Sequence, residues 1–120
     1  MRRMQFTKIS IPLVVATHTT IASATVPLNG ILRGVKAKSP AAVDSSATLK
    51  VDITDPDGDN VYTKSGIAVA TTNQDYFDIK TNPNAMEVPV AGTYTITTTY
   101  SVAQATNRTS VVTLLIESFM

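Results

Sequence analysis

Between residues 91 and 102 the chain alternates without a break. Tyr94, Ile96, Thr98, Tyr100 and Val102 fall on one side, and Thr93, Thr95, Thr97 and Thr99 on the other. A period of two sends successive side chains to opposite faces of an extended backbone and does not fit a helix. The same period governs residues 48–54, where Leu49, Val51 and Ile53 share one face and Lys50, Asp52 and Thr54 the other. It recurs in residues 5–15, with Ile9, Ile11, Leu13 and Val15 together. Nineteen threonines fit this pattern, since a β-branched side chain suits a pleated strand and loses freedom in a helix. No amphipathic helical window interrupts the strands. The sequence therefore predicts an all-β fold. At 120 residues it is one domain, able to bury roughly two thirds of its unfolded surface without staples.

Turn chemistry divides the chain. Pro12 cannot donate to a ladder, so the strand over residues 5–15 belongs at a sheet edge or carries a bulge. Residues 16–21 form a turn. Residues 23–38 return as one long strand, and Pro27, Gly30 and Gly34 allow it to bend from one sheet to another. A loop rich in Ser, Pro and Ala precedes residues 48–54. In Asp55-Pro56-Asp57-Gly58, Asp55 can accept backbone N–H groups, Pro56 presets φ and Gly58 can adopt positive φ, which closes a hairpin onto residues 60–64. Val61 and Thr63 are expected to face the core there. Residues 65–73 show little periodicity, residues 76–79 make a short strand, and residues 81–84 a loop. Pro89 keeps residues 87–90 out of a central position, so the alternating strand begins at Ala91-Gly92. Residues 109–118 then form a hairpin with it. Apolar residues on both faces of 111–116 require either a central strand or an outer face covered by another subunit. The expected architecture is a single β-sandwich over 1–120, immunoglobulin-like or jelly-roll-like, with about seven to nine strands. Residues 1–24 supply an extended N-terminal edge strand and turn that could act as an assembly arm. No internal repeat is visible.

Reactive chemistry is nearly absent. With no cysteine, thiol catalysis, disulfides and Cys-ligated metals are excluded. A net charge of +1 is too weak a field to recruit nucleic acid or an anionic membrane. His18 stands in a Thr-rich turn without a partner for base or ligand chemistry. Asp52, Asp55, Asp57 and Asp59 offer oxygen ligands, but the spacing is not that of an EF-hand loop, and a turn accounts for Asp55 and Gly58. Asp75 and Asp78 are expected to solvate a strand end. Arg33, Lys36, Lys38 and Lys50 could align as a basic stripe, yet no aromatic residues are interleaved with them for base stacking. Asn107-Arg108-Thr109 fits a glycosylation acceptor but reads as a turn. Arg2, Arg3 and Lys8 ahead of an apolar run, with Ala22-Ser23-Ala24 beyond, imitate a secretory leader; the polar step at residues 17–20 argues against cleavage. That run is also far short of the ~20 residues that span a bilayer as a helix. The expectation is no enzyme, cofactor, metal, nucleic acid, membrane or small-molecule substrate.

Gln5-Phe6-Thr7-Lys8-Ile9-Ser10-Ile11-Pro12, the return over residues 23–32 and the closing Val111-Val112-Thr113-Leu114-Leu115-Ile116-Glu117 resemble small virion proteins of tailed bacteriophages. Asp55-Pro56-Asp57-Gly58 followed by Val90-Ala91-Gly92-Thr93-Tyr94-Thr95-Ile96 resembles the turn and late-strand signature of immunoglobulin-like domains. There the Tyr hydroxyl ties down a corner, which assigns Gly92 and Tyr94 a structural role. Both resemblances imply a noncatalytic β-sandwich, and the first implies a virion assembled in the host cytoplasm. Its partners would be the major capsid protein or portal and neck proteins, and copies of itself. Decoration or cementing of the capsid is the first reading and a head–tail neck or tail component the alternative. A secreted immunoglobulin-like adhesion or carbohydrate-binding module is a further one. Edge strands can add to a neighbour's sheet. The expected assembly contacts are Phe6, Ile9, Ile11 and Leu13 on the first strand, with Phe119 and Met120 as an apolar end.

Overall fold

The computed structural model describes residues 4–40, 47–75, 87–103 and 106–119, with Met4 and Phe119 by backbone alone. Among these residues seven strands run, β1 (Met4–Val15), β2 (Ile21–Lys38), β3 (Thr48–Thr54), β4 (Asn60–Ala68), β5 (Thr72–Asp75), β6 (Val88–Tyr100) and β7 (Arg108–Phe119). All pairings are antiparallel, in the order β1-β7-β2-β6-β3-β4, with β5 against the end of β2. The described residues contain no helix. The predicted strand at 76–79 and loop at 81–84 lie outside them.

β2 is the spine. Ile21 to Leu32 pair with β6, whereas Ile31 to Lys38 pair with β7, so one strand serves two layers. One layer contains β1, β7, the second half of β2 and β5; the other contains the first half of β2, β6, β3 and β4. The register shifts between Leu32 and Gly34, leaving Arg33 as the extra residue of a bulge that bends the strand. The bend expected from the breakers in residues 23–38 is thus centred one residue before Gly34. Folding over at β2 brings Leu49, Val51 and Ile53 of β3 into one core with Val112, Leu114 and Ile116 of β7. β1 also reaches β6 across the interior, although two strands separate them in the ladder order.

Several expectations change. β4 continues to Ala68 because its ladder with β3 slips between Leu49 and Val51, opposite the Ser65-Gly66 step. A slipped ladder breaks the period of two, and residues 65–68 therefore look aperiodic in sequence. Thr63 does not face the core; it is exposed and donates its hydroxyl to Asp52 Oδ1 at 2.8 Å. β6 begins at Val88, ahead of Ala91. Pro89 is tolerated because β3 pairs only with residues 95–100, so the strand has a single neighbour at its start. β6 and β7 do not form a hairpin. β6 is flanked by β2 and β3, while β7 crosses to the other layer between β1 and β2. A buried hydrogen bond of 3.0 Å between Tyr100 Oη and Ser110 Oγ joins the two across the interior. The two-faced apolar pattern of β7 is that of a central strand: Leu114 and Ile116 enter the core, and Leu115, on the opposite face, is 6% exposed.

Candidate assembly surface

β1 forms one end of the ladder order, and no described strand pairs with its outer edge. Its pairing with β7 is unbroken over twelve positions, from Met4 opposite Phe119 to Val15 opposite Arg108. Natural edges are usually short, bulged or charged; this one is long and regular and carries Lys8 as its one charged side chain. Phe6 is 42% and Val14 53% exposed, two of the most exposed large apolar side chains in the described residues. Ile9 and Ile11 are half-buried against the core. Leu13 departs from its expected role. It is 2% exposed and, with Val15, closes the core, so it is no assembly contact. β1 is consequently an integral strand and not a detachable arm. Phe119 lies in β7 opposite Met4, and Met120 lies outside the described residues.

Beside this edge, where β2 changes layers, a polar knot is set in apolar surroundings. Arg33 Nε donates to Glu117 Oε2 at 3.2 Å and Arg33 Nη1 to Glu87 Oε1 at 2.9 Å. The Glu117 side chain is 5% exposed, so the guanidinium supplies the charge that a buried carboxylate requires. The bulge aims Arg33 at this point. Gly30 allows the two strands to close up here: at φ +134°, a Cβ on it would lie 2.3 Å from the Glu117 carbonyl oxygen. Asn29, Gly30, Ile31, Glu117 and Ser118 line a shallow open cavity of about 310 Å³.

The two sequence signatures of the turn and the corner meet in space. Asp55 Oδ1 accepts N–H groups from Asp57 at 3.0 Å and Asp59 at 2.8 Å, and Gly58 N–H donates to the Asp55 carbonyl at 3.0 Å. Gly58 has φ +90°. The Pro56 ring lies over Gly92, so close that a Cβ there would be 2.9 Å from Pro56 Cγ. Tyr94 is buried, and its hydroxyl accepts the Ala91 N–H at 3.2 Å. These contacts couple the β3–β4 turn to the start of β6. Sequence reasoning gave each motif a local role but had no signal for their mutual packing.

The remaining polar candidates do not converge. Asp52 is turned to the outer face of β3, where Lys50 Nζ is 3.7 Å away, and does not join the Asp55 turn. Lys50 and Arg33 lie in different layers, so the basic side chains form no single stripe. His18 sits at φ 64° in an exposed turn, and the Asn107 side chain accepts the Thr17 N–H at 2.8 Å. Asp78 lies outside the described residues. Asp75 instead accepts the Tyr62 hydroxyl. Burial first, then this hydrogen bond and the Asp75 charge, push the Tyr62 phenol well above its ordinary range. Among the described residues no three His, Cys, Asp or Glu side chains are grouped to hold a metal ion, and no helix is long and apolar enough to cross a membrane.

No protein-family model matches this sequence, and no curated protein matches it. Solved structures do match in fold. A chain of the Bacillus endospore appendages, which form a family of disulfide-linked pili, is similar with a TM-score of 0.58 at 15% identity, over 100% of this chain and 91% of that one. A chain of the acidic stable capsid of Helicobacter pylori bacteriophage KHP30 is similar with a TM-score of 0.56 at 12% identity, over 100% and 97%. The fold is thus an all-β sandwich resembling capsid and pilus structural proteins.

Proposed function

We propose that this chain is a noncatalytic structural protein of a bacteriophage virion, bound to the major capsid shell as a decoration or cement protein. The observation that carries the reading is the end-to-end match in fold to a phage capsid chain of nearly the same extent. The outer edge of β1, with which no described strand pairs, supports it, because such an edge offers main-chain donors and acceptors in register to a neighbour. Among the described residues the polar side chains serve turns, one ion-pair knot and strand faces, and no set of them converges for acid–base or nucleophilic work.

The appendage likeness favours a second reading, a subunit of a surface filament. Those pili are disulfide-linked, whereas this chain has no cysteine, so a filament built from it would rest on noncovalent contacts alone. A secreted module trimmed after Ala24 would lose β1 whole, including Leu13 and Val15 from the core.

Quantitative mass spectrometry of purified virions tests the placement. Hundreds of copies per particle support shell decoration, and about a dozen point to a neck ring instead. Absence from washed virions refutes the proposal.

A further inference from the structure

A charge drawn into a fold calls for a counter-ion, and Arg108 has none among the described residues. It opens β7 directly opposite Val15. Directly opposed residues share a face, and Val15, like Ser110 two residues along β7, is 0% exposed. Arg108 therefore lies on the core face, at the end of the sandwich where β1 and β6 finish and β2 and β7 begin. Contacts between these strands close that end: Thr17 N–H donates to Asn107 Oδ1 at 2.8 Å, Tyr100 N–H to the Thr20 carbonyl at 2.7 Å, and Tyr100 Oη meets Ser110 Oγ at 3.0 Å. Half-buried there, Arg108 has its Nε–H sealed from solvent without a hydrogen-bond partner, while its Nη groups stay reachable. The ion pairs between described residues use Arg33 and Lys50, and none involves Arg108. The sequence gives the reason. No Asp or Glu occurs before Asp44, and none lies between Glu87 and Glu117, so β1, β2, β6 and the stretch leading into Arg108 bring no acid to this end.

We infer that Arg108 anchors a docking site for a segment of a partner protein that presents a carboxylate between apolar side chains. The proposal does not depend on the virion reading, since it concerns what this end of the sandwich binds. Charge selects the ligand group. A guanidinium cannot give up its charge, and its N–H groups form a planar fork that a carboxylate meets with two parallel hydrogen bonds, here end-on across the two Nη groups. Burial of Nε already restrains the fork, so less freedom is lost when the ligand arrives. The surroundings select the rest of the partner. Of the four exposed large apolar side chains among the described residues, three stand at this end. Val14, 53% exposed, adjoins Val15; Ile21, 58% exposed, begins β2; and Val102, 39% exposed, follows β6 by two residues. Arginine flanked by apolar side chains is a composition typical of the residues that dominate protein–protein binding. A nucleic acid or free phosphate would use the charge and leave the apolar flanks in water. Retaining Arg108 also costs the isolated fold something, because a buried N–H without a partner is destabilising.

Titration of the full-length chain with a capped Leu-Glu-Leu peptide, followed by nuclear magnetic resonance, tests the site, with capped Leu-Gln-Leu and inorganic phosphate as comparison arms. The Arg108 Nε–H and the backbone amides of Ile21 and Val102 should shift together and saturate in the millimolar range, as expected of so small a ligand. The glutamine peptide and phosphate should each bind about tenfold more weakly, the first for want of charge and the second for want of apolar contact. Arg108→Met keeps the apolar stem and removes the fork. It should abolish the response at Ile21 and Val102 while raising the urea midpoint, because the unpartnered buried N–H is gone. Arg108→Lys keeps the charge but not the fork and should bind more weakly than the parent chain. No saturable shift with Leu-Glu-Leu, or equal binding of the glutamine peptide, would overturn the inference. Phosphate binding as tightly as Leu-Glu-Leu would reduce the site to a general anion site and overturn the peptide reading. An Arg108→Met variant less stable than the parent would make Arg108 a structural cap and overturn it as well.

Discussion

Substituting Gly30→Ala probes the point where β2 leaves one layer for the other. Its φ of +134° suits glycine, and the added methyl would lie 2.3 Å from the Glu117 carbonyl oxygen and 3.2 Å from Ile116 Cγ2. The first distance is more than 1 Å inside an ordinary carbon–oxygen contact of roughly 3.4 Å, and the opposing atom is backbone, which cannot rotate away. The backbone term costs about 1–2 kcal/mol, and relieving the overlap by moving β7 off β2 adds about 1–3 kcal/mol. The expected loss is therefore about 2–5 kcal/mol, a large share of the stability of a domain this size. Gly58→Ala isolates the backbone term. Gly58 has φ +90° but nothing within 4 Å of a built Cβ, so it should lose only the backbone term, about 1–2 kcal/mol. Urea unfolding followed by circular dichroism measures both, with equal slopes confirming that the change is in stability. Equal midpoints for the two variants would refute the close approach of β2 and β7.

Leu13→Ala should cost about 2–5 kcal/mol by leaving a cavity in the core, and Ile9→Ala distinctly less, because Ile9 is only half-buried; similar losses in urea unfolding would place both residues in one environment. Asp55→Ala removes the acceptor of two backbone N–H groups and should cost about 1–2 kcal/mol, whereas Asp57→Ala should be nearly silent in the same assay. Gly58→Val should hurt folding more than Asp59→Ala, since only the former forces a β-branched residue to positive φ; comparable melting temperatures would contradict the turn geometry. Tyr62 holds its proton more tightly when folded than its ordinary pKa of 10.0 allows, so its contribution is present below pH 10 and lost as pH rises beyond it. Tyr62→Phe should flatten that alkaline decline, and an unchanged slope between pH 9 and 11 would dismiss the Tyr62–Asp75 pairing.

The legible parts of this chain are those where one face is buried and the ladder is regular. β3 was bounded correctly by Leu49, Val51 and Ile53, and β1 by Pro12 and its row of isoleucines. Legibility failed wherever a bulge inserts a residue. The slip opposite Ser65-Gly66 hid the second half of β4, and β5 is four polar residues held by the last four residues of β2, with no periodicity of its own. Neighbours in sequence also proved a poor guide to pairing for β6 and β7, since each already has two partners. The Arg33–Glu117 pair was invisible for a related reason: 84 positions separate the two, and only the bend of β2 brings them together. For Leu13 a period of two shows the face it shares with Ile9 and Ile11, but not how far along the strand that face leaves the rim and enters the core.

The first strand of this protein finds its partner in the last, from Met4 with Phe119 to Val15 with Arg108. During synthesis, then, an apolar ribbon emerges from the ribosome long before the segment that shields it has been translated. Such strongly non-local topology folds slowly and leaves the nascent chain open to aggregation. Successful production should depend on chaperone supply and on slow, cool expression, because the polypeptide can complete its fold only after residues 108–119 have cleared the exit tunnel.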